Sequence, residues 1–326
     1  MTSLALFQMM FGVALIGFTL FDAFVTILSL RGGGPATSFI SQKLWRLALR
    51  FHQYKTSHRL LSASGPVLMI LVVMFWYLLL YLGWFLVFQS VQGNVINGST
   101  YTAATGLETL YFTGVTLSGL GYGDYTAEHF PWTIYSTLAV ATGTLLTSVG
   151  LSYIIAVVPV ALEKRQLARQ INIVAGDSEQ LLKRIDDQDN VEFIWQKLFE
   201  IQLDGTKFAN KYSAYPVVAY FHTSSSDSAF SLAYLKASDL LFYLANHPNK
   251  ELRPSASTVI ALKNLMVSYA ESLQHIVDDH ADGESDQHER YRVYSSIEKV
   301  ESELFTWQEF SSVRRVLVTT CLYDGW

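Results

Sequence analysis

The chain has 326 residues, of which 50% are hydrophobic and 16% are charged, and its formal net charge at pH 7 is −5. The charges are unevenly placed, because residues 161–326 hold 17 of the 23 Lys and Arg residues and 24 of the 28 acids. An acidic second half without a basic patch argues against nucleic acid as a partner. The single cysteine, Cys321, excludes an intrachain disulfide.

The first predicted element is a membrane-spanning helix over residues 6–30, since about 20 apolar residues cross the hydrocarbon core as a helix. A signal peptide is not expected, because the run is long and no positive charge precedes it. Asp22 lies inside this span and, as an intramembrane acid, is a candidate functional residue. The role expected for it is a structural pair with an interfacial Lys or Arg, and Arg31 follows nine residues later.

Residues 31–65 are predicted to be a cytoplasmic loop that contains an amphipathic helix over 39–51. Its apolar side chains fall on one helical face and its cations on another. The apolar face consists of Ile40, Leu44, Leu47 and Phe51, and the cationic face consists of Lys43, Arg46 and Arg50. This composition is typical of a helix in the headgroup layer of a bilayer. Packing of the helix on the C-terminal domain is the alternative.

A second span is predicted over residues 67–91 and a third over 132–160. Between them, residues 102–118 are apolar but too short to cross a membrane, which indicates a re-entrant helix. The run that follows is Gly119-Leu120-Gly121-Tyr122-Gly123-Asp124. Glycine tolerates backbone conformations that other residues resist, so this run can direct its carbonyl groups into a narrow path.

The glycine run and its flanking helices resemble the selectivity filter of the tetrameric potassium-channel family. The resemblance implies a re-entrant pore domain in which the carbonyl groups of Gly119, Leu120, Gly121, Tyr122 and Gly123 replace the water shell of K⁺. It also implies a homotetramer in the lipid bilayer, since four copies of one filter close a ring.

Several residues around this filter match the family pattern or depart from it. Tyr111 stands where many members have a tryptophan that hydrogen-bonds the filter aspartate, so its phenol is expected to bond Asp124. Gly119 stands where the family nearly always has a threonine, whose hydroxyl completes the innermost ion site. Thr116 and Ser118 are the hydroxyl groups that could partly compensate for its absence. The departure at Gly119 makes a weakly selective cation channel the alternative.

The third span corresponds to the inner helix of the family, and three positions in it are candidate gating hinges. Gly143 follows the last filter glycine by 20 residues, where the family commonly has a hinge glycine. Gly150 and Pro159 offer further bending points. Close packing between helices explains the glycines equally well. Pro159 is expected to mark the cytoplasmic end of the pore.

The distribution of basic residues predicts the topology. The six Lys and Arg residues of the first 160 positions all lie in the loop 31–65, and the loop 92–131 has none. The positive-inside rule therefore places 31–65 and the C-terminal half in the cytoplasm, with the N-terminus outside. This orientation puts the glycine run on the extracellular side, where the resemblance requires it.

Residues 163–326 are predicted to form a mostly α-helical cytoplasmic domain, a candidate regulator of the pore, that follows the pore domain at 66–162. Helical periodicity places four helices at 191–211, 226–246, 257–277 and 289–310. Ser226 or Asp227 is expected to cap the second of these. A dinucleotide fingerprint and a hydrolase motif are missing from the sequence, so neither an enzyme nor a particular gating ligand is predicted.

Residues 278–289 nearly match the 12-residue calcium loop of helix–loop–helix proteins. The candidate Ca²⁺ ligands are Asp278, Asp282, Glu284, Asp286 and Glu289. Against calcium, His280 occupies a ligand position that needs an oxygen. A transition-metal site on His275, His280 and His288, or a plain solvated loop, is left open.

The sequence as a whole therefore predicts an all-α membrane protein with three transmembrane helices, a re-entrant pore helix and filter, and a helical C-terminal domain. The expected function is selective K⁺ conduction. A weakly selective cation channel and a membrane-anchored sensor that does not conduct are the alternatives.

Overall fold

A computed structural model describes residues 2–29, 33–54, 58–175, 191–247, 249–278 and 305–326. The described chain is helical apart from one two-stranded sheet, which confirms the predicted all-α fold class. It divides into two compact units. Residues 1–44 and 67–156 form the N-terminal unit, and residues 45–66 and 157–326 form the C-terminal unit.

In the described part of the chain, three helices are long and apolar enough to cross a membrane, and each overlaps one of the predicted spans. Helix α1 is Ser3–Leu28 and begins where the Thr2 hydroxyl accepts a hydrogen bond from the Ala5 amide. Helix α3 is His58–Gln89, of which Leu61–Gln89 forms the candidate span. Helix α5 is Trp132–Ala175. It continues 15 residues beyond the predicted end at 160, so Pro159 does not end it.

Small residues allow α1 and α3 to pack closely in the N-terminal unit. A Cβ atom on Gly12 would lie 2.7 Å from the carbonyl oxygen of Gly83, and one on Gly83 would lie 2.7 Å from Cγ1 of Ile16. Apolar burial drives helices together only weakly in lipid, so a close backbone approach of this kind is a main source of packing energy there.

Helix α2, Pro35–Tyr54, contains the predicted amphipathic segment. Thr37, Ser41 and Trp45 of this helix are buried, whereas Leu47 and Phe51 of the predicted apolar face are 50% and 64% exposed, so its contact with a membrane stays a prediction. Thr37 and Ser41 are small enough to pack closely, a feature that a hydrophobicity pattern does not weigh. The cationic residues of α2 are exposed beside the exposed apolar ones.

The segment between α3 and α5 contains a short hairpin and a short helix. Strand β1, Val95–Asn97, pairs antiparallel with strand β2, Tyr125–Ala127. Helix α4, Gly106–Ser118, lies between them in the chain and begins four residues later than predicted. Residues 102–105 instead join the hairpin, through a bridge from Ile96 to Ala103 and a hydrogen bond from the Asn97 amide to the Thr102 carbonyl.

Among its described residues, the C-terminal unit holds the end of α5 and four further α-helices. They are α6, Val191–Ala214; α7, Phe230–Ala245; α8, Ala256–Asp278; and α9, Trp307–Tyr323. The predicted second helix is shorter than expected, because Ser226–Ser228 is a separate 3₁₀ turn and Ala229 caps α7 without a side-chain hydrogen bond. Of the predicted helix 289–310, residues 289–304 lie outside the described residues. Its described end belongs to α9, which Thr306 and Glu309 cap reciprocally.

The core of the C-terminal unit combines aromatic packing with a buried ion pair. Phe242 of α7 stacks on Phe310 of α9 with ring centroids 4.3 Å apart. On the same two helices, the Arg314 guanidinium donates to both oxygens of Asp239 at 2.9 and 3.2 Å. A buried carboxylate needs partners that compensate its lost hydration, and this ion pair fixes α7 against α9.

Candidate functional site: the glycine run and its supports

Helix α4 is anchored at its start by a reciprocal cap. Thr105 accepts a hydrogen bond from the Glu108 amide, and Glu108 accepts one from the Thr105 amide at 2.6 Å. The other carboxylate oxygen of Glu108 accepts a hydrogen bond from the Tyr125 hydroxyl at 2.6 Å. Glu108 therefore ties the start of α4 to strand β2, which follows the glycine run in the chain.

The far end of the glycine run is fixed by the hairpin. The Gly98 amide, just after β1, donates to the Asp124 carbonyl at 2.8 Å. A Cβ atom on Gly98 would lie 2.5 Å from the Gly123 carbonyl oxygen, so only glycine permits this approach. The run from Gly119 to Gly123 is thus connected to α4 at one end and to a hydrogen-bonded strand pair at the other.

The backbone of the run alternates in conformation. Gly119, Gly121 and Gly123 have φ values of +74°, +58° and +79°, which favour glycine, whereas Leu120 and Tyr122 do not have positive φ. In a pleated strand successive carbonyl groups point to opposite edges of the strand. The alternation at every second residue breaks that pattern, and glycine is the residue that allows it.

The carbonyl groups of the run are not used by the rest of the described chain. None of the five carbonyl oxygens from Gly119 to Gly123 accepts a hydrogen bond from a described residue. Side chains of the run are also open in the single chain, since Leu120 is 59% and Tyr122 68% exposed. A row of five free carbonyl oxygens on a constrained backbone is a set of hard oxygen ligands suited to a cation.

The backbone conformation at position 119 explains why this chain has glycine there and not threonine. Its positive φ ends helix α4, with its amide bonded to the Thr116 carbonyl and the next amide, of Leu120, bonded to the Val115 carbonyl. This left-handed cap strongly favours glycine over a β-branched residue. The absence of a threonine hydroxyl is therefore coupled to how the helix ends.

The other predicted supports of the filter are placed as follows. A side-chain hydrogen bond joins Tyr111 to Asp124. Thr116 is buried, and the Ser118 hydroxyl donates to the Val115 carbonyl at 3.0 Å. Tyr111 and Asp124 are thus brought together as the sequence indicated, while the Ser118 proton is committed to helix α4. Their roles in conduction stay predictions.

The candidate hinge glycines of α5 lie at close helix contacts. A Cβ atom on Gly143 would collide with the Leu117 backbone of α4, and one on Gly150 would lie 3.0 Å from Cγ1 of Val73 on α3. These contacts support the packing explanation for both glycines. Pro159 lies within the continuous helix.

Asp22 occupies a second polar site in the N-terminal unit, where its described partners are neutral donors. Its carboxylate is fully buried and accepts hydrogen bonds from the amides of Ala36 and Thr37, the Thr37 hydroxyl at 2.6 Å and the Trp76 indole at 2.9 Å. The amides belong to the first turn of α2, where the helix dipole favours an anion. Arg31 lies outside the described residues.

A Cβ atom on Gly34 would collide with the Asp22 carboxylate, so glycine is needed where the chain enters α2. The site therefore holds three helices together: α1 through Asp22, α2 through its amides and Thr37, and α3 through Trp76. Asp22 is a structural node in this arrangement. Its donors come from 14 or more residues away in the chain, so the sequence alone offered no signal for them.

The predicted calcium loop falls almost wholly outside the described residues. Asp278 is the last residue of α8, and Asp282, Glu284, Asp286 and Glu289 are not described. The same holds for His280 and His288 of the transition-metal alternative. Within the described ranges no group of three His, Cys, Asp or Glu side chains is arranged to hold a metal ion.

The structure adds residues that the sequence analysis missed. The bond between Glu108 and Tyr125 joins the start of α4 to strand β2, and the Thr105–Glu108 spacing is a capping signal that could have revealed the start of α4. Trp76 and Thr37 bind Asp22 without a comparable sequence signal.

The comparisons with known proteins found a bacterial relative. A protein of Bacillus subtilis (strain 168) named "Uncharacterized membrane protein YdjJ" is 23% identical over 226 residues, which cover 68% of this chain and 65% of that protein. The present chain is a helical membrane protein. Three apolar helices of spanning length and a relative that is itself called a membrane protein agree on this.

The match spans less than two thirds of the relative's length, and the relative's name states nothing beyond membrane residence. No protein-family model matches the chain. No solved structure matches it either. A more specific function therefore depends on the site itself.

Proposed function

We propose that this protein is the subunit of a homotetrameric potassium channel, with K⁺ as the permeant ion. The observation that carries the proposal is the row of carbonyl groups from Gly119 to Gly123, which accept no hydrogen bond within the described chain. Their glycines adopt positive φ at every second position, and the run is held between a re-entrant helix and a hairpin. Four such rows around an axis supply the oxygen cage that replaces the hydration shell of K⁺.

The exposure of the run in a single chain supports assembly. An irregular backbone survives at membrane depth only where protein or a water-filled path covers it. Large apolar side chains of α5 are exposed as well, including Leu138, Leu145, Leu151 and Ile155. A ring of four copies covers the glycine run and a part of this surface, and lipid covers the rest.

The proposed orientation places the N-terminus and the glycine run outside and the C-terminal unit in the cytoplasm. It follows from the basic residues of 31–65, together with the lack of any Lys or Arg in 92–131. In this arrangement the C-terminal unit is positioned to regulate opening through α5, which continues into it without a break.

Weak selectivity among cations is the second candidate, and Gly119 favours it. The innermost ion site of the proposed filter has no ring of threonine hydroxyl groups, and the positive φ of Gly119 disfavours a threonine there. The carbonyl sites formed by the rest of the run do not depend on that hydroxyl. We therefore expect K⁺ to be preferred over Na⁺, with an inner site weaker than a hydroxyl ring would give.

The test is ion flux through purified protein in liposomes, with Gly121→Val as the filter variant. A Cβ atom on Gly121 would meet no heavy atom within 4 Å beyond its chain neighbours, so the substitution acts through the φ of +58° and the direction of the carbonyl groups. Gly93→Val is the matched control, because Gly93 also has positive φ, +86°, and open space, but lies outside the run.

Wild type and Gly93→Val should pass K⁺ and be blocked by Ba²⁺, and Gly121→Val should fall to the flux of empty liposomes. Reversal potentials in mixed K⁺ and Na⁺ measure the selectivity and separate the two candidate channels. Absence of flux in folded wild-type tetramers would favour the non-conducting sensor. Equal flux in wild type and Gly121→Val would show that ions take another route.

A further inference from the structure

Three histidines from distant parts of the chain meet in the C-terminal unit. His52 is near the end of α2, His58 begins α3, and His222 follows the 3₁₀ turn Pro216–Tyr220. Nδ1 of His58 and Nε2 of His222 are 2.9 Å apart, and the ring centroids of His52 and His58 are 4.6 Å apart. The indole of Trp326 stacks on both His58 and His222. We call the three histidines with Trp326 the histidine cluster.

The hydrogen bonds of the histidine cluster fix where its protons lie. Nδ1 of His222 is 2.7 Å from the carbonyl oxygen of Asp324, which can only accept, so this nitrogen carries a proton. In neutral His222 the other nitrogen, Nε2, is then an acceptor, and the proton between the two rings belongs to Nδ1 of His58. A doubly protonated pair places two N–H groups against each other and loses this bond.

The surroundings of His222 disfavour a positive charge. His222 is 2% exposed, and the charged group nearest to it from α5 is the cation of Lys164. The Asp324 carboxylate is already paired with Lys164 at 3.1 Å, so its negative charge is compensated. Burial lowers the pKa of His222 to about 4, and the positive charges of His58, Lys164 and His52 act in the same direction.

The pKa of His58 is lowered as well. Burial lowers its pKa, and the neighbouring charge of His52 adds to the effect. Nδ1 of His52 is itself buried without a hydrogen-bond partner in the described chain. The face of Trp326 attracts an imidazolium and so opposes these effects in part. For His222 the loss of hydration outweighs it.

Residues 323–326 contact three helices of the C-terminal unit: α2, α3 and α5. The Trp45 indole of α2 donates to the Tyr323 carbonyl at 3.0 Å. A Cβ atom on Gly325 would lie 2.6 Å from Cδ2 of Leu61 on α3, and Lys164 of α5 pairs with Asp324. The histidine cluster therefore lies at the point where the C-terminal residues hold α2, α3 and α5 together.

We propose that the histidine cluster is an acid-sensitive contact that fastens the C-terminal residues 323–326 to the start of α3 at neutral pH and releases them when His58 and His222 become protonated. The contact rests on the packing of the C-terminal unit and does not depend on the glycine run conducting ions. If the protein is a channel, the released state frees the ends of the outer and inner helices on the side of this unit.

The direction of the pH effect follows from linkage. A histidine with a lowered pKa in the closed contact stabilises it above the ordinary value of 6.5, and the stability falls as the pH drops from 6.5 toward 4. With a pKa of about 4 when closed and 6.5 when released, His222 alone makes opening about 30-fold more favourable at pH 5 than at pH 7.5.

Hydrogen–deuterium exchange of the full-length protein in nanodiscs tests the proposal without using ion flux. The amides of Asp324, Gly325 and Trp326 are bonded within the end of α9, so their protection reports on the contact. After correction for the intrinsic exchange rate, protection of the peptide over 320–326 should drop about 30-fold from pH 7.5 to pH 5 in wild type. All buffers contain EDTA, so that bound transition metals do not contribute.

His222→Asn keeps a donor for the Asp324 carbonyl and removes the titrating ring, so its protection should change less than threefold over the same pH range. His58→Asn keeps a donor for His222 and should reduce the response, which provides a second variant if His222→Asn does not fold. His247→Asn is the matched control, since His247 is a buried histidine of the same unit outside the cluster, and it should respond as wild type does. No pH response in wild type, or a full response in both cluster variants, would overturn the proposal.

Discussion

Asp22 in the N-terminal unit and Asp324 in the C-terminal unit are both buried carboxylates, yet their described partners differ in kind. Asp22 accepts hydrogen bonds from backbone amides, a hydroxyl and an indole, all of them neutral. Asp324 pairs with the ammonium group of Lys164, which is 3% exposed and also donates to the carbonyl groups of Val218 and Ala219. Asp239 pairs with Arg314 in the same unit.

The difference shows two ways of keeping a buried carboxylate stable. Several dipoles can hold the charge without bringing a second one into an apolar region, which suits a site between membrane helices. A buried cation neutralises the charge but requires that both groups give up their hydration, so removing one partner leaves the other unpaired. The two kinds of site should therefore respond differently to single substitutions.

The largest effect is expected for Lys164→Met, which leaves the Asp324 carboxylate buried without its cation. We expect the free energy of unfolding of the C-terminal unit to fall by about 3–5 kcal/mol. The double variant Lys164→Met with Asp324→Asn should recover most of this loss, because it leaves no uncompensated charge. Denaturant titration of the purified protein measures both.

Lys211→Met is the matched control for this prediction. Lys211 pairs with Glu163, the residue next to Lys164, but the two side chains are 48% and 32% exposed. A solvated ion pair contributes about 0–1 kcal/mol, so this variant should unfold almost as wild type does. Similar losses for Lys164→Met and Lys211→Met would mean that burial does not decide the strength of these pairs.

A smaller but clear loss is expected for Asp22→Asn. The amide keeps one oxygen and turns an NH₂ group toward donors that need an acceptor, so at least one buried N–H or O–H group loses its partner. We expect a loss of about 2–3 kcal/mol in the stability of the N-terminal unit, measured by thermal unfolding in detergent. An unchanged melting temperature would contradict the assignment of Asp22 as the node that joins α1, α2 and α3.

The smallest effect is expected for Thr37→Val, which removes one donor to Asp22 and keeps the shape of the side chain. The amides of Ala36 and Thr37 and the Trp76 indole still bind the carboxylate, so the loss should be about 1 kcal/mol. Comparison with Asp22→Asn by the same unfolding measurement tests whether several donors share the charge. A larger loss of stability in Thr37→Val than in Asp22→Asn would show that the Thr37 side chain contributes more to the site than the Asp22 charge does.

The membrane helices could be predicted well from the sequence because the length of an apolar run determines them. An apolar run long enough to cross the hydrocarbon core has few alternatives, so the predicted 6–30 and 67–91 agree closely with Ser3–Leu28 and Leu61–Gln89. The ends were less accurate where polar residues continue a helix, as in α5, which extends to Ala175. Continuation of a helix into a packed unit depends on tertiary contacts that hydropathy does not record.

The glycine run was recognisable because the conformation it needs restricts the amino acids that can form it. The positive φ values fall on Gly119, Gly121 and Gly123, the glycines that drew attention to the run. The buried polar sites were not recognisable, because their partners are distant in the chain. Lys164 and Asp324 are 160 positions apart, and no local pattern at either residue indicates the other. The burial of Trp45 against Tyr220 and Tyr323 was not recognisable for the same reason.

The chain passes between its two units three times, and each passage is inside a helix: at 44–45 in α2, 66–67 in α3 and 156–157 in α5. Two of these passages have a proline at or beside them, Pro66 and Pro159. Each proline removes the amide that would bond the carbonyl four residues earlier, at Ser62 or Ile155. Helices α3 and α5 therefore each lack one backbone hydrogen bond close to the point where the chain leaves one unit for the other.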